Sequence, residues 1–233
     1  MRQVSPCPST SPALAYLADD DAFDALYTPE IREVSARFWT PLAVARRAAE
    51  LLARAGARSV LDVGSGVGKF ALVAGASCPE LRVVGIEQRA HLVEHARRAL
   101  ATLALANVRF VEGDATALPW KDVDGFYFYN SFAENLFDPD DRLDARAELS
   151  MARFARDVQR TTTALRAARV GTAIATFYGS SGRIPCSYEL AHEEKARSGW
   201  LRLWTKRDET DDGSFFVEDG EWTVRYDASG RPV

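Results

Sequence analysis

The sequence predicts an α/β fold, a doubly wound and mostly parallel sheet with one antiparallel edge strand, a helical segment before it and a short β extension after it. Three observations lead there. Short apolar runs alternate with helix-like stretches from Ser59 to Phe177, which argues for parallel strands covered on both faces. The first run ends in an acid, Asp62, and passes through Gly64, Gly66 and Gly68 straight into a helix-like stretch, while the second ends beside Glu87. Beyond Phe177 the alternation stops, and Tyr188–His192 and Leu201–Lys206 lie too close together for a helix of normal length. Those two runs are expected to pair antiparallel at the sheet edge.

Residues 1–12 hold three prolines and three serines and read as a loose tail. From Ala13 to Arg37 the helical pattern is broken at Pro29. Thr40-Pro41 makes a good helix start, because threonine can cap and proline tolerates the first helical position. Leu42, Ala45, Ala48, Leu51 and Leu52 then share a helical face, and Gly56 ends it. Next come a strand at Ser59–Val63, a helix at Lys69–Ala76, a strand at Leu81–Ile86 and a helix at Ala90–Leu105. Strands follow at Val108–Glu112, Asp124–Tyr129 and Gly171–Phe177, the last two flanking a helix with Met151, Phe154, Val158 and Leu165 on its apolar face. After the acidic stretch Asp208–Asp212, Phe215–Val217 and Trp222–Tyr226 suit a hairpin. The expected division is a tail and helical lid over 1–40, a cofactor-binding domain over 41–207 and an extension over 208–233.

Composition narrows the function. The 233 residues, 47% hydrophobic and 27% charged, suit one domain with a full core. A net charge of −4 argues against a generic nucleic-acid binder, which carries a basic excess. Cys7, Cys78 and Cys186 are scattered and fit a reducing compartment. No apolar run approaches the roughly 18 residues that span a bilayer, and the first residues do not read as a signal peptide, so a cytoplasmic location is expected. His91 and His95 share a helical face at metal-binding spacing, yet no third ligand stands near in sequence, so no metal is expected. Ser131, Ser180 and Ser181 lack a nucleophile-elbow context.

The glycine loop carries most of the chemistry. Glycine lets a ligand approach the backbone and takes the positive φ of a tight strand-to-helix turn. Asp62-Val63-Gly64-Ser65-Gly66-Val67-Gly68 has its glycines at alternate positions, whereas a dinucleotide loop spaces them G-x-G-x-x-G. Glu87, at the end of the second strand, stands where two ribose hydroxyls could be gripped. Together these features resemble the S-adenosylmethionine site of class I methyltransferases. The resemblance covers about half of the chain, Ser59 to Phe177, and extends loosely to the seven-strand (non-SET) lysine methyltransferases through Asn130 and Phe132.

The resemblance implies a set of roles. Asp62, Gly64, Ser65, Gly66 and Gly68 would shape the loop around the methionine end of S-adenosylmethionine, with Thr40 donating a hydroxyl there as an alternative to capping. Glu87 would hold the ribose with Gln88 close by, and Asp114 and Ala115 would address the adenine. Asn130, also near the cofactor, would orient the nucleophile, Phe132 would wall the pocket, and Glu134 would accept a proton or bind a cationic substrate. Tyr27 and Trp39 either line the acceptor pocket or pack the lid down, and Asp138, Asp140, Asp141 and Asp144 form an acidic loop. The expected reaction is a direct, metal-free SN2 transfer of methyl to nitrogen, with a protein amine or small molecule favoured over nucleic acid. A silent cofactor-binding module acting through its tail and a nicotinamide-dependent oxidoreductase are the alternatives.

Overall fold

A computed structural model describes residues 15–233 apart from 121 and 181; the expected loose tail, Cys7 and Ser181 lie outside the described residues. The sheet is built on β1 (Ser59–Val63), β2 (Arg82–Glu87), β3 (Val108–Glu112), β4 (Gly125–Tyr129), β5 (Ala173–Phe177), β7 (Tyr188–Ala196) and β8 (Gly199–Lys206). Between β5 and β7 the chain makes the two-residue β6, Ile184–Pro185, and it ends in the hairpin β9 (Phe215–Asp219) and β10 (Trp222–Tyr226). The spatial order is β3-β2-β1-β4-β5-β8-β7, and a second sheet runs β10-β9-β6. Strands β1 to β5 pair in parallel, whereas β8 runs antiparallel to both β5 and β7.

Each side of the sheet has its own core. Val60, Tyr127, Ala175 and Leu203 face one side, where they pack with the helices Leu42–Arg54, Lys69–Ser77 and Ala90–Leu103. Leu61, Phe126, Phe128, Ile174 and Trp204 face the other, towards Leu165 of the helix Met151–Ala167. Burial on both faces explains why β1 and β4 read as nearly unbroken apolar runs. Ser150 caps the helix Met151–Ala167 by accepting from Arg153 N at 3.1 Å, and Met151 itself points outward, 67% exposed.

Two local expectations are corrected. Thr40 does not cap the helix that begins at Leu42: Pro41 holds the cap position, and the Leu42 N–H goes to Asp20 Oδ1 at 2.8 Å. The run Glu193–Gly199 does not merely separate two short strands. It continues β7 to Ala196 and leaves Arg197-Ser198 as the turn into β8. Polar residues are at home there because β7 is an edge strand with an outer rim open to water, and a register shift between Leu190 and His192 bends it. The hairpin expected near the C-terminus forms, its first strand running two residues further than expected, to Asp219, and its second with the expected bounds.

Strand order reverses between β1 and β4, so their carboxyl ends open a crevice of the kind that holds ligands in doubly wound sheets. The segment between Asp20 and Trp39, broken into helices Asp20–Asp24, Pro29–Glu33 and Ser35–Phe38, lies over that crevice.

Candidate active site

A cavity of about 650 Å³ opens at these strand ends. Gly64 and Gly66 line it from the β1 loop, Glu87 and Gln88 from β2, Asp114 and Ala115 from β3, and Asn130, Phe132 and Glu134 from β4. Sequence reasoning thus named residues that the fold brings together from four strands. Asp62, Ser65 and Thr40 line an adjoining void of about 40 Å³ instead. Gly68 lines neither; it turns the chain at φ +80° into the helix Lys69–Ser77, and a side chain there would strike Phe110.

The loop is tied to the ribose-position acid. Glu87 Oε2 accepts the Gly66 N–H at 3.1 Å and Oε1 accepts the Arg89 N–H at 2.9 Å. Burial pushes the Glu87 carboxyl up, against those N–H groups and the Arg89 charge. Asp62 is deeper: burial raises it to about 8, opposed by the Ala71 N–H and reinforced by the negative charge of Glu87. Its Oδ2 and the Ser65 hydroxyl are buried without a hydrogen-bond partner. Thr40 turns its hydroxyl to Tyr127 Oη at 3.0 Å.

Asp114 caps a short turn, accepting from Thr116 N at 2.8 Å and Thr116 Oγ1 at 2.7 Å, with Oδ2 3.5 Å from Arg153. Burial acts to raise its pKa, but the Thr116 hydrogen bonds and the Arg153 and Arg156 charges bring it below the ordinary aspartate value. Glu134 receives Arg89 Nη2 at 2.8 Å and Leu143 N at 2.8 Å, both on Oε1. Arg89, with its side chain only 5% exposed, also reaches Asp144 at 3.0 Å, so it ties the β2 end to the loop after β4. His91 Nε2 sits 3.2 Å from the same Asp144, and Asp141 pairs with Arg37. Among the described residues no group of His, Cys, Asp and Glu is placed to hold a metal ion.

At the far end of the cavity Tyr129, Phe177 and Tyr178 form an aromatic wall, with ring centroids 4.7 to 6.1 Å apart. Asn130 and Tyr178, the residues directly after β4 and β5, both take positive φ, +47° and +57°. Trp39 lines the cavity against Gly66, while Tyr27 packs the lid down by donating to Val67 O at 3.1 Å. Sequence reasoning missed Lys69, Arg89 and this wall. Lys69 is the one with a signal: a lysine in an otherwise apolar helix, answered by acids four apart at Asp20 and Asp24.

The family described as a methyltransferase domain matches residues 60–152. The demethylmenaquinone methyltransferase of Deinococcus radiodurans is 39% identical over 75 residues, 32% of this chain and 30% of that protein. The matched part is thus under a third of that relative's length. Among solved structures, an RNA methyltransferase from Salinibacter ruber in complex with S-adenosyl-L-homocysteine superimposes with a TM-score of 0.54 at 19% identity, covering 74% of this chain and 96% of that one. Cofactor-bound Rv0187 from MTB gives 0.55 at 21% identity, covering 85% and 91%. The likeness to these two structures is one of fold.

The residues present fit S-adenosylmethionine. The orphaned Asp62 oxygen and Ser65 hydroxyl offer polar partners beside the loop. Glu87 accepts backbone N–H groups on both oxygens and keeps acceptor capacity for a hydroxyl. Sheet order, glycine loop and strand-end acids agree with the match: residues 60–152 match a methyltransferase domain, and the sheet has the class I methyltransferase fold.

Proposed function

We propose that this chain transfers a methyl group from S-adenosylmethionine to a nitrogen acceptor held at the ends of β4 and β5, the acceptor being a protein amine or a small molecule. The observation that carries this reading is the cavity that joins Glu87 and Asp114 to Asn130 and the aromatic wall. When bound, S-adenosylmethionine supplies a methyl group already activated by the sulfonium, so positioning and exclusion of water do much of the catalytic work. Asp62, Gly64 and Gly66 hold the methionine end, Glu87 the ribose and Asp114 the adenine. An amine attacks only when neutral, and the wall of Tyr129, Phe177 and Tyr178 disfavours an ammonium by desolvation. Asn130 orients the nitrogen through its side-chain oxygen, and Phe132 closes the side of the pocket. Glu134 has Oε1 committed to Arg89 and Leu143, which leaves Oε2 to accept a proton or bind a cationic substrate.

The test is to incubate the protein with methyl-labelled S-adenosylmethionine and a lysate of source cells lacking the gene, with Gly66→Arg as control. Protein, nucleic-acid and small-molecule fractions are counted separately. Label in the protein or small-molecule fraction, absent with the control, supports the proposal, and label confined to nucleic acid overturns the acceptor class. S-Adenosylhomocysteine binding with no label in any fraction favours a silent module, and tight NAD binding in its place favours an oxidoreductase.

A further inference from the structure

Two consecutive left-handed residues follow β5, Tyr178 at φ +57° and Gly179 at φ +86°. Glycine takes this region freely, but a tyrosine there is strained. Something must hold the turn. The C-terminal hairpin does so with one side chain, Glu218 of β9, which is only 1% exposed. Its Oε1 accepts from Thr176 Oγ1 at 2.6 Å, just before the turn, and from Trp204 Nε1 at 3.1 Å. Its Oε2 accepts from Ser180 N at 3.0 Å, just after the turn. Gly179 packs so near β9 that a Cβ on it would stand 3.3 Å from Glu218 Cβ. The same glycine's carbonyl oxygen accepts the Asn130 N–H at 3.1 Å.

We propose that Glu218 is a positioning residue: by stapling the Tyr178–Gly179 turn from both sides, it sets the aromatic wall and Asn130 against the acceptor. The proposal rests on the reading above that the acceptor sits at the ends of β4 and β5. Glu218 does not line the cavity and acts only through the turn. A carboxylate suits the place because three donors converge there from different strands and a loop, and Arg202 Nη1 at 3.9 Å offsets the charge. Arg202 also donates to Gly220 O and Glu221 O, which holds the tip of the hairpin in place. The extension beyond Lys206 thereby becomes part of the acceptor site, although it lies far in sequence from the glycine loop.

The experiment uses the full chain as wild type, Glu218→Ala, Glu218→Gln and Thr176→Val. It measures S-adenosylhomocysteine affinity by calorimetry and ¹⁵N amide resonances of Asn130 and Gly179. It also measures methyl transfer against serial dilutions of the lysate fraction that takes label. For Glu218→Ala, S-adenosylhomocysteine affinity should stay within about twofold while the half-saturating acceptor dilution rises about tenfold, the scale of a lost hydrogen bond to a charged group. The two amides should shift, and Glu218→Gln should recover part of the loss. Thr176→Val removes one donor and should move both readouts less, which keeps the test open if Glu218→Ala does not fold. Unchanged acceptor saturation in variants with shifted amides overturns the proposal, as does a parallel fall in S-adenosylhomocysteine affinity. Absence of S-adenosylhomocysteine binding by the wild type would defeat the reading of the site itself, a different failure.

Discussion

Lys69, the first residue of the helix after the glycine loop, lies 2.7 Å from Asp24 of the N-terminal segment, with Asp20 on its other side at 2.9 Å. The lysine is 3% exposed, so the lid is fastened to the loop by charges largely withdrawn from water. Lys69→Met leaves Asp24 facing Asp20 without the lysine's charge, with only Arg197 still paired to Asp20. Breaking a buried pair from one side costs about 3–5 kcal/mol, which corresponds to a melting temperature lower by about 6–10 °C in a chain of this size. Thermal melts should show that drop, and adding Asp24→Leu should recover part of it.

Asp62 links cofactor to pH. Its carboxyl is raised to about 8 by burial, against an unfolded value of about 3.9. The folded form therefore keeps a proton that the unfolded form loses. The stability this provides is complete below about pH 4 and lost as pH climbs towards 8. Asp62→Asn should flatten that slope, melting higher than the wild type at pH 8 and nearly equal to it at pH 4. The same variant should bind S-adenosylhomocysteine about tenfold more weakly at pH 8, because it cannot offer an anion to the ligand's ammonium. Melting curves and calorimetry at the two pH values check both halves.

Gly66 sits at φ +53° with Trp39 above it, and a Cβ would fall 2.6 Å from Trp39 Cζ3. Gly66→Ala should reduce S-adenosylhomocysteine affinity at least about tenfold, from steric conflict and backbone strain together. Pairing it with Trp39→Leu should relieve the steric part and leave the strain. A double variant no better than Gly66→Ala alone, in the same titration, would remove Trp39 from the account.

Arg89 holds Glu134 and Asp144 through its guanidinium, and it serves Glu87 through its backbone. Arg89→Met should therefore free the loop after β4 while keeping the backbone N–H that Glu87 accepts. Chymotrypsin cleavage near Phe137 and Leu143 should accelerate, and S-adenosylhomocysteine affinity should fall less than in Glu87→Gln. Limited proteolysis and calorimetry on the two variants make the comparison.

How legible this was in the sequence depends on how local each signal is. The loop Asp62–Gly68 and the acids at Glu87 and Asp114 could be placed because each follows its own strand directly, so strand and site are read together. The helix starting at Leu42 was legible from its apolar face, but the partner of its first N–H was not, since Asp20 reaches it across the fold. Asn130 was visible from its place at the end of β4. Tyr178 was not, because its left-handed turn is imposed by Glu218, a residue dozens of positions away. The length of β7 was hidden for another reason: its polar residues face water at an edge, where the apolar alternation that marks a strand fades.

An open sheet has two rims, and strands at a rim invite pairing with a neighbouring molecule. In β7 that invitation is blunted by charge and by shape, since Glu189, Glu193, Glu194 and Lys195 crowd the strand and its register slips between Leu190 and His192. Glu193, Glu194 and Lys195, which hid the second half of β7 in the sequence, thus serve as gatekeepers against cross-molecular β-pairing. Replacing them with good strand formers would make β7 easier to recognise and the protein harder to keep in solution.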